Sequence, residues 1–325
     1  MTQKFEKIVI AGGTGFIGRH LVREFHKTDT DIVVLTRSPG HRSGDPDYHH
    51  VRLVQWSPED SEWIRELEGA DAVINLVGKN LAAGRWTRSV KEAILQSRIE
   101  SVRMLTEAVE SLPAPPNTFI QASAVGFYGN RTDINTTEAT PPGRGFLADV
   151  CTRWEAAARP LVDQTGMRTV ILRFGVVLGI EDGFYRKMAC MVRRFMGSVP
   201  GPGDNWISWI YIRDLIAIIT RCLHDSLMRG IYNAVAPEPV QSSEFMHMLA
   251  ATWSRPVMPS PPMFILRLAL GDMLDELILA SQHVIPDRLQ RIGHDFEYSN
   301  AESALTALHN ECRKRSEPVE CPSDL

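Results

Sequence analysis

The chain has 325 residues, of which 44% are hydrophobic, and its formal net charge is -4 at pH 7. This length and apolar content suffice for one large domain or two unequal domains with a substantial core. The slight negative charge argues against a broad nucleic-acid surface, and no apolar run approaches the ~20 residues of a membrane span.

The first predicted unit, residues 7–25, combines a strand, a glycine-rich turn and a helix. Residues 8–10 are a β-branched apolar run, typical of a buried parallel strand. Glycines follow at 12, 15 and 18, and apolar residues recur at helical spacing after Gly15. Glycine lets the backbone approach a pyrophosphate, and a helix N-terminus offers it unpaired N–H groups. This order favours a dinucleotide site over a glycine turn without a ligand.

A second β-branched strand, at residues 32–35, ends in Thr36-Arg37-Ser38. In a Rossmann unit this strand ends beside the adenosine ribose, where an Asp or Glu would favour NAD. A guanidinium and hydroxyl groups suit a 2′-phosphate instead, so the segment favours NADP. The alternative is an ordinary solvated arginine after a strand.

Strand and helix patterns then alternate as far as residue 180. Strands are predicted at 51–56, 72–78, 118–122 and 168–174, helices at 61–68, 87–112 and 147–163, and loops at 40–50 and 130–146. His41, His49 and His50 in the first loop have no acidic or cysteine partner at useful spacing, so no metal site is predicted. The alternation predicts an α/β fold with a Rossmann-type, doubly wound parallel sheet.

The pattern changes beyond residue 180. A basic helix is predicted at 184–196, a strand at 206–212, a helix from Asp214 and an apolar helix near 263–280. We therefore predict a Rossmann domain over 1–180, to which 208–236 can add core elements, and a smaller α+β C-terminal substrate domain over 181–310. Residues 311–325 are predicted to be a mobile tail. Trp206 and Trp209 are predicted either to cover a pocket between the domains or to lie in the core of the smaller one.

Several motifs together resemble a known enzyme family. Gly12-Gly-Thr-Gly15-Phe-Ile-Gly18, Asn75-Leu-Val-Gly78 and the segment 123–129 resemble an extended short-chain dehydrogenase/reductase. The sequence resembles even more closely the atypical "epimerase family" branch of that superfamily, which has its own small C-terminal domain. The motifs that carry this resemblance are Arg85-Trp86, Ser97-Arg98, Trp154-Glu155-Ala156, 173–179, 208–214, 233–237 and 282–286. The resemblance covers roughly residues 7–308 and implies a Rossmann domain that carries NADP(H).

The resemblance also implies which residues hold the cofactor. Gly12, Thr14, Gly15, Phe16 and Ile17 match the phosphate loop, Thr36 and Arg37 match the adenosine end, Leu76, Val77 and Gly78 line the cofactor, Glu92 and Arg98 match helix positions that reach it, and Val177 matches the segment near the nicotinamide. Lys79 departs from the family pattern, which has an acidic residue after the glycine. That departure argues against a role for a carboxylate there.

Reductases of this superfamily use a serine that orients the substrate carbonyl and a Tyr-x-x-x-Lys pair. The tyrosine is the general acid/base, and the lysine lowers its pKa and holds the nicotinamide ribose. Ser123 is in place here, but Leu147 stands where the tyrosine belongs and Cys151 where the lysine belongs. The nearby Tyr128 is followed four residues later by Thr132 rather than by a lysine.

Three interpretations of the missing pair remain. Tyr128 supplies the proton together with Ser123, or Lys79 or Tyr211 supplies it, or the protein binds NADP(H) without turnover. Tyr128 is alternatively a packed tyrosine with a satisfied hydroxyl, and Ser123 a hydroxyl that caps a turn. Cys151 is more readily a small packing residue than a nucleophile.

The preferred interpretation is an NADP(H)-dependent oxidoreductase or epimerase-like enzyme acting on an unknown small metabolite. The alternative is a non-catalytic NADP(H)-binding or regulatory protein. No nucleic-acid or membrane partner is expected, and the chain is expected to be a monomer or a homodimer. Five scattered cysteines indicate a reducing compartment, and the N-terminus enters the first strand without room for a signal peptide. Cytoplasm is therefore expected, with an organelle matrix after import as the alternative.

Overall fold

A seven-stranded parallel sheet forms the centre of the molecule. A computed structural model describes residues 5–42, 44–82, 84–131 and 135–314. The strands in this part of the chain are β1 (Lys7–Ala11), β2 (Asp31–Thr36), β3 (Arg52–Gln55), β4 (Ala72–Asn75), β5 (Thr118–Ala124), β6 (Arg168–Phe174), β7 (Val176–Leu178), β8 (Trp206–Ile207), β9 (Trp209–Tyr211), β10 (Gly230–Ala234) and β11 (Val240–Gln241). The main sheet has the order β10-β6-β5-β4-β1-β2-β3, and every pair in it is parallel.

Helices cover both faces of this sheet. They are α1 (Phe16–Phe25), α2 (Arg88–Ser111), α3 (Phe146–Ala157), α4 (Arg159–Thr165), α5 (Gly183–Arg193), α6 (Ile212–His224), α7 (Ser242–Thr252), α8 (Met263–Leu270), α9 (Asp287–Arg291) and α10 (Ala301–Lys314). Helix α1 packs beside α6, whereas α2 packs beside α3 and α4. Residues 8–11 of β1 are fully buried between the two layers, which is why that strand reads as a continuous apolar run. The doubly wound parallel sheet is confirmed.

Several predicted boundaries move. The helix predicted at 61–68 is a 3₁₀ helix, Glu62–Leu67. The helix predicted at 147–163 ends at Ala157 and restarts as α4, where Pro160 has no N–H to continue the first helix. The apolar helix predicted near 263–280 stops at Leu270 because Gly271 takes a left-handed conformation, with φ +57°. A π-helical turn, Leu274–Ile278, follows it.

The second half of the chain contributes to both the sheet and a separate core. The strand predicted at 206–212 is two short strands, β8 and β9, and α6 begins at Ile212 rather than at Asp214. Strand β10 lies within residues 208–236 and pairs with β6 at the edge of the main sheet. The second core packs α5, α7 and α10 around the β7–β9 pair. Trp209 is fully buried there and donates its indole N–H to the Glu238 carbonyl at 3.0 Å.

The described end of the chain, where a mobile tail is predicted, is helical. Residues 311–314 are the last turn of α10, and Cys312 is buried against the second core. Residues 315–325, the rest of that predicted tail, lie outside the described residues. No helix in the described part of the chain is both long and apolar enough to span a membrane.

Candidate functional site

The glycine-rich turn after β1 is held from two sides. Gly12 has φ +79°, which favours glycine, and its N–H donates to the Leu35 carbonyl of β2 at 3.2 Å. The Gly15 N–H donates to the Gly12 carbonyl at 3.1 Å. The buried Tyr48 hydroxyl donates to the Gly13 carbonyl at 3.0 Å from the loop between β2 and β3. The turn is therefore preorganised by the protein itself.

The glycines of this turn differ in how much space surrounds the position that a Cβ atom would occupy. A Cβ at Gly18 would lie 2.5 Å from the Gly13 Cα, and one at Gly13 would lie 2.7 Å from Val34 Cγ2. A Cβ at Gly15 would meet only the Gly12 carbonyl oxygen, at 3.4 Å. Gly13 and Gly18 are therefore required for packing of α1 on the sheet. Gly15 instead borders open space.

That open space lies at the N-terminus of α1, where the positive end of the helix dipole favours binding of an anion. Gly15 is the N-cap of α1, no side chain caps the helix, and its first turn has no acidic residue. The unpaired N–H groups and the positive end of the helix dipole therefore remain available to a phosphate. Thr14 is half-buried beside Gly15, and Ile17 packs against the main core.

Phe16 links the glycine turn to the segment after β7. A Cβ at Gly179 would lie 2.5 Å from Phe16 Cζ, so the ring fills the space beside that glycine. A Cβ at Gly183 would lie 3.5 Å from both the Phe16 ring and the Val177 carbonyl. The structure thus brings Phe16 and the half-buried Val177 to the same side of the glycine turn.

The end of β2 presents the pair predicted to contact the adenosine end. The Thr36 side chain is buried and its hydroxyl accepts the Ser38 N–H at 3.4 Å. Arg37 is exposed, and its guanidinium forms no ion pair with any described residue. An anion at this edge would therefore not compete with a carboxylate for Arg37.

The exit from β4 crosses over the glycine turn. Asn75 is fully buried, donates to the Gln121 side chain at 3.0 Å, and accepts the Val77 N–H at 3.1 Å. A Cβ at Gly12 would lie 3.2 Å from the Val77 nitrogen. Leu76 and Val77, both half-buried, therefore form the wall opposite the glycine turn.

Arg98 lies beneath the next residue of this wall, Gly78. A Cβ at Gly78 would lie 2.9 Å from the Arg98 Cζ, so a side chain there would have to displace the guanidinium. Glu92 lies elsewhere on α2: it is exposed and accepts a hydrogen bond from Gln96 at 2.5 Å. Its side chain borders a cavity of about 380 Å³ lined by Trp86, Arg88, Lys91, Leu95, Phe146 and Asp272. No contact in the described structure brings Glu92 to the glycine turn, and its cofactor role stays a prediction.

Ser123 and Tyr128 belong to one buried polar network. The Ser123 hydroxyl donates to Glu155 Oε1 at 2.7 Å, and Arg173 grips the same carboxylate with Nε and Nη2 at 2.8 and 2.7 Å. Arg173 Nη1 donates to the Tyr128 hydroxyl at 2.8 Å, and that hydroxyl donates to Asn233 Oδ1 at 2.7 Å. The Arg173 side chain is only 2% exposed. Both predicted catalytic hydroxyls therefore already have hydrogen-bond partners inside the protein.

The Tyr128 hydroxyl is expected to stay protonated at neutral pH and therefore not to act as a base. Tyr128 is fully buried, and burial raises the pKa of its phenol above the usual value. These contacts agree with the alternative interpretation of Tyr128, a packed tyrosine whose hydroxyl has its hydrogen-bond partners inside the protein. A catalytic role for Tyr128 stays a prediction.

Leu147 and Cys151, which are predicted to stand at the positions of the family's tyrosine and lysine, pack against the turn that follows β5. A Cβ at Gly126 would lie 3.3 Å from Leu147 Cβ and 3.7 Å from Cys151 Sγ. Burial raises the pKa of the Cys151 thiol to about 12. The thiol is therefore protonated at neutral pH, which disfavours it as a nucleophile.

No hydrogen bond among the described residues joins the remaining proton-donor candidates to Ser123. Tyr211 is buried in the second core, where its hydroxyl donates to Glu311 at 3.3 Å. Lys79 is exposed, and its backbone N–H donates to the Ser97 hydroxyl at 3.0 Å. Among the described residues, no three His, Cys, Asp or Glu side chains come together in a way that could hold a metal ion.

Four residues of this site were missed as functional positions in the sequence: Tyr48, Glu155, Arg173 and Asn233. One signal was available for Arg173, which interrupts the apolar strand Val-Ile-Leu-Arg-Phe, because a charged residue in a buried strand needs a partner. No local pattern identifies Tyr48 or Asn233, since their partners lie 35 and 105 residues away.

Comparisons with known proteins agree with this architecture. The model of the NAD-dependent epimerase/dehydratase family matches residues 8–234, and a model described as a domain of unknown function (DUF1731) matches residues 261–308. A chloroplastic epimerase family protein of Arabidopsis thaliana, an SDR39U1 homolog, is 33% identical over 306 residues, 93% of this chain and 86% of that protein. An epimerase family protein of Staphylococcus epidermidis is 36% identical over 307 residues, 93% of this chain and 99% of that protein.

A solved structure extends the likeness to three dimensions. The crystal structure of the human epimerase family protein SDR39U1 with NADPH superposes with a TM-score of 0.83. Its sequence is 28% identical, and the match covers 94% of this chain and 99% of that chain.

Proposed function

The chain belongs to the NAD-dependent epimerase/dehydratase family, and on that premise we propose that it is an NADP(H)-dependent oxidoreductase or epimerase-like enzyme acting on a small metabolite. The observation that carries the proposal is the open space beside Gly15, at a helix N-terminus that no side chain caps. The human relative that was crystallised with NADPH supports the choice of cofactor. The Arg37 guanidinium at the end of β2, which pairs with no carboxylate of the described residues, suits the 2′-phosphate that distinguishes NADP from NAD.

In this proposal the bound cofactor supplies or accepts a hydride, and the protein positions the reactants. The α1 N-terminus and the glycine turn hold the pyrophosphate, while Leu76, Val77 and Val177 line the cofactor. Ser123 would orient the substrate oxygen by turning onto it the proton that its hydroxyl donates to Glu155 Oε1. Tyr128 acts through Arg173, which fixes Glu155. Because burial keeps the Tyr128 phenol protonated, it cannot be the base that alcohol oxidation needs at neutral pH, so we expect carbonyl reduction to run better than alcohol oxidation.

A second candidate function is NADP(H) binding without turnover. It is favoured by the hydrogen bonds that already occupy the Ser123 and Tyr128 hydroxyls, and by Leu147 and Cys151 at the positions of the catalytic pair. Such a protein would report on or store the cofactor. The substrate, a monomeric or homodimeric state and a cytoplasmic location stay predictions under either function.

One experiment separates the two functions. NADPH binding is first titrated by fluorescence, and a panel of carbonyl compounds is then screened by following NADPH absorbance. We expect slow NADPH oxidation that falls in Ser123→Ala and, to a smaller extent, in Tyr128→Phe. Ser111→Ala, at the far end of α2, is the matched control and should keep the unmutated rate. Tight NADPH binding without turnover across the panel would establish the second function, and turnover unaffected by both variants would overturn the assignment of Ser123 and Tyr128.

A further inference from the structure

The N-terminus of α3 is capped by a carboxylate from the C-terminal part of the chain. Glu276 Oε1 accepts the Phe146 N–H at 2.7 Å, and Oε2 accepts the Leu147 N–H at 2.9 Å, from 129 residues away. Gly145 has φ +116°, and a Cβ there would lie 2.9 Å from Glu276 Oε1, so glycine suits both the backbone and the close approach. Hydrogen bonds from a helix N-terminus to a carboxylate are charge-assisted, so this contact stabilises the start of α3.

Helix α3 carries side chains that reach Ser123 and the turn that follows it. Glu155, near the end of the helix, accepts the hydrogen bond of the Ser123 hydroxyl at 2.7 Å. Leu147 and Cys151, near its start, pack against Gly126. A shift of α3 would therefore move the carboxylate to which Ser123 donates.

The turn that carries Glu276 has two further contacts with the ends of α2 and α3. Asp272 Oδ2 pairs with Lys91 Nζ of α2 at 2.5 Å. Met273 is buried in one apolar cluster with Trp86 and Leu147. Both members of the ion pair also line the cavity of about 380 Å³ that lies beside α2. The turn therefore closes one side of that cavity and is joined to both helices.

Helix α8, which precedes this turn, is packed much more loosely. None of its residues is buried, and Phe264 and Leu268 are 72% and 73% exposed. Gly271, with φ +57°, separates α8 from the turn. Segments with few buried apolar contacts open locally at low cost in free energy. The contacts of residues 272–276, more than the burial of α8, therefore hold this part of the chain against α2 and α3.

We propose that Glu276 is a positioning residue for Ser123, and that residues 263–278 form a latch that holds α3, and with it Glu155, at the end of β5. The latch opens without unfolding of the main sheet and then lets α3 move away from the turn after β5. This assigns a role to part of residues 261–308, which match the domain of unknown function. The consequence for catalysis rests on the proposed function, whereas the latch itself does not.

The test uses Cys151 as a reporter of the position of α3. Cys151 and Cys222, on α6, are free and buried, and burial raises the pKa of both thiols to about 12, so alkylation of either requires an opening. Their rates of reaction with iodoacetamide are followed by mass spectrometry of the digested protein. Glu276→Ala should raise the Cys151 rate roughly tenfold and leave the Cys222 rate within about twofold. Glu276→Gln keeps one acceptor oxygen and should give an intermediate Cys151 rate.

Two neighbouring carboxylates provide controls. Asp275 pairs with Arg267 of α8 at 2.9 Å, within the latch, so Asp275→Ala should change neither rate. Asp272→Ala removes the largely exposed ion pair with Lys91 and should raise the Cys151 rate at most about fivefold. Circular dichroism checks that each variant is folded.

An unchanged Cys151 rate in Glu276→Ala would overturn the latch, because α3 would then be held without this carboxylate. An equal rise for Cys151 and Cys222 would overturn it as well, since the variant would then open the whole domain. The measurement uses neither cofactor nor substrate, so its outcome does not depend on the proposed function. Failure of the unmodified chain to bind NADPH would overturn that function and the role of Glu276 toward Ser123, while the thiol rates would still decide the latch.

Discussion

At the ends of β1 and β4 the backbone leaves open space beside Gly15, whereas at the ends of β5 and β6 the side chains close on one another. The first region has a helix that no side chain caps and an Arg37 that forms no ion pair within the described part of the chain. In the second, Ser123, Glu155, Arg173 and Tyr128 satisfy each other. At one edge of the sheet, the first region therefore leaves hydrogen-bond donors for a ligand, whereas the polar groups of the second region are paired within the protein.

The difference shows that matching a family motif does not establish the role of a residue. Gly15 and Ser123 both match the motifs of short-chain reductases. The structure leaves Gly15 facing open space but joins Ser123 to a buried ion pair. We therefore expect substitutions in the first region to change ligand binding and substitutions in the second to change stability first.

The largest effect is expected at the glycine turn. Gly15→Val should abolish NADPH binding, because the side chain would occupy the space intended for the pyrophosphate. Gly15 has φ -80°, which any residue adopts, so circular dichroism and the midpoint of thermal unfolding should stay near those of the unmodified chain. Gly18→Ala is the contrast: its Cβ would clash with Gly13, so it should lose stability. Retained NADPH binding in Gly15→Val would make the turn a structural feature only.

The next largest effect is expected in the buried network. Glu155→Ala removes the carboxylate that Arg173 grips and leaves a guanidinium that is 2% exposed without its partner. We expect a loss of about 3–5 kcal/mol in the free energy of unfolding. The measurement is urea denaturation followed by tryptophan fluorescence.

A surface pair in the same helix provides the control. Asp149 pairs with Arg153 at 3.1 Å, and both side chains are more than half exposed. Asp149→Ala should therefore cost less than about 1 kcal/mol. Similar losses in Glu155→Ala and Asp149→Ala would contradict the view that the β5–β6 region is closed by its own contacts.

A smaller effect is expected at the end of β2. Arg37→Ala should lower the affinity for NADPH by about 1.5–3 kcal/mol, the cost of one hydrogen bond to a charged group, and change NADH affinity little. Parallel titrations of the two cofactors measure it. Arg52→Ala removes an exposed arginine that pairs with Asp31 at 2.7 Å and should change neither affinity. Equal affinities of the unmodified chain for NADPH and NADH would remove the basis for assigning Arg37 to a 2′-phosphate.

The smallest effect concerns alkaline stability. Because burial raises the pKa of Tyr128 above its unfolded value of about 10, its contribution is full below pH 10 and is lost as the pH rises from there toward the folded pKa. Each such group steepens the fall in unfolding free energy by at most about 1.4 kcal/mol per pH unit. Tyr128→Phe should therefore give a shallower decline between pH 10 and 11 in urea denaturation. An unchanged slope would show that the hydroxyl ionises in the folded protein, as it would in an open cleft.

Local sequence patterns predicted the strands of the main sheet better than the elements around it. Strands β1, β2, β5 and β6 come from β-branched runs whose burial on both faces leaves little ambiguity. The α3–α4 break and the split of residues 206–212 depend on single residues and on partners elsewhere. Strand β7, which pairs with β9 across more than 30 residues, is a run of only three residues and was not predicted as a separate strand.

The sequence by itself determined the strand–glycine–helix unit and the parallel sheet, because each depends on residue types at short, fixed spacing. Only the tertiary structure decided that Gly15 faces open space while Gly18 is packed, and that Ser123 and Tyr128 share a network with Glu155 and Arg173. These relations join residues on different strands and helices. Contacts of that kind depend on how the elements pack, which no local pattern encodes.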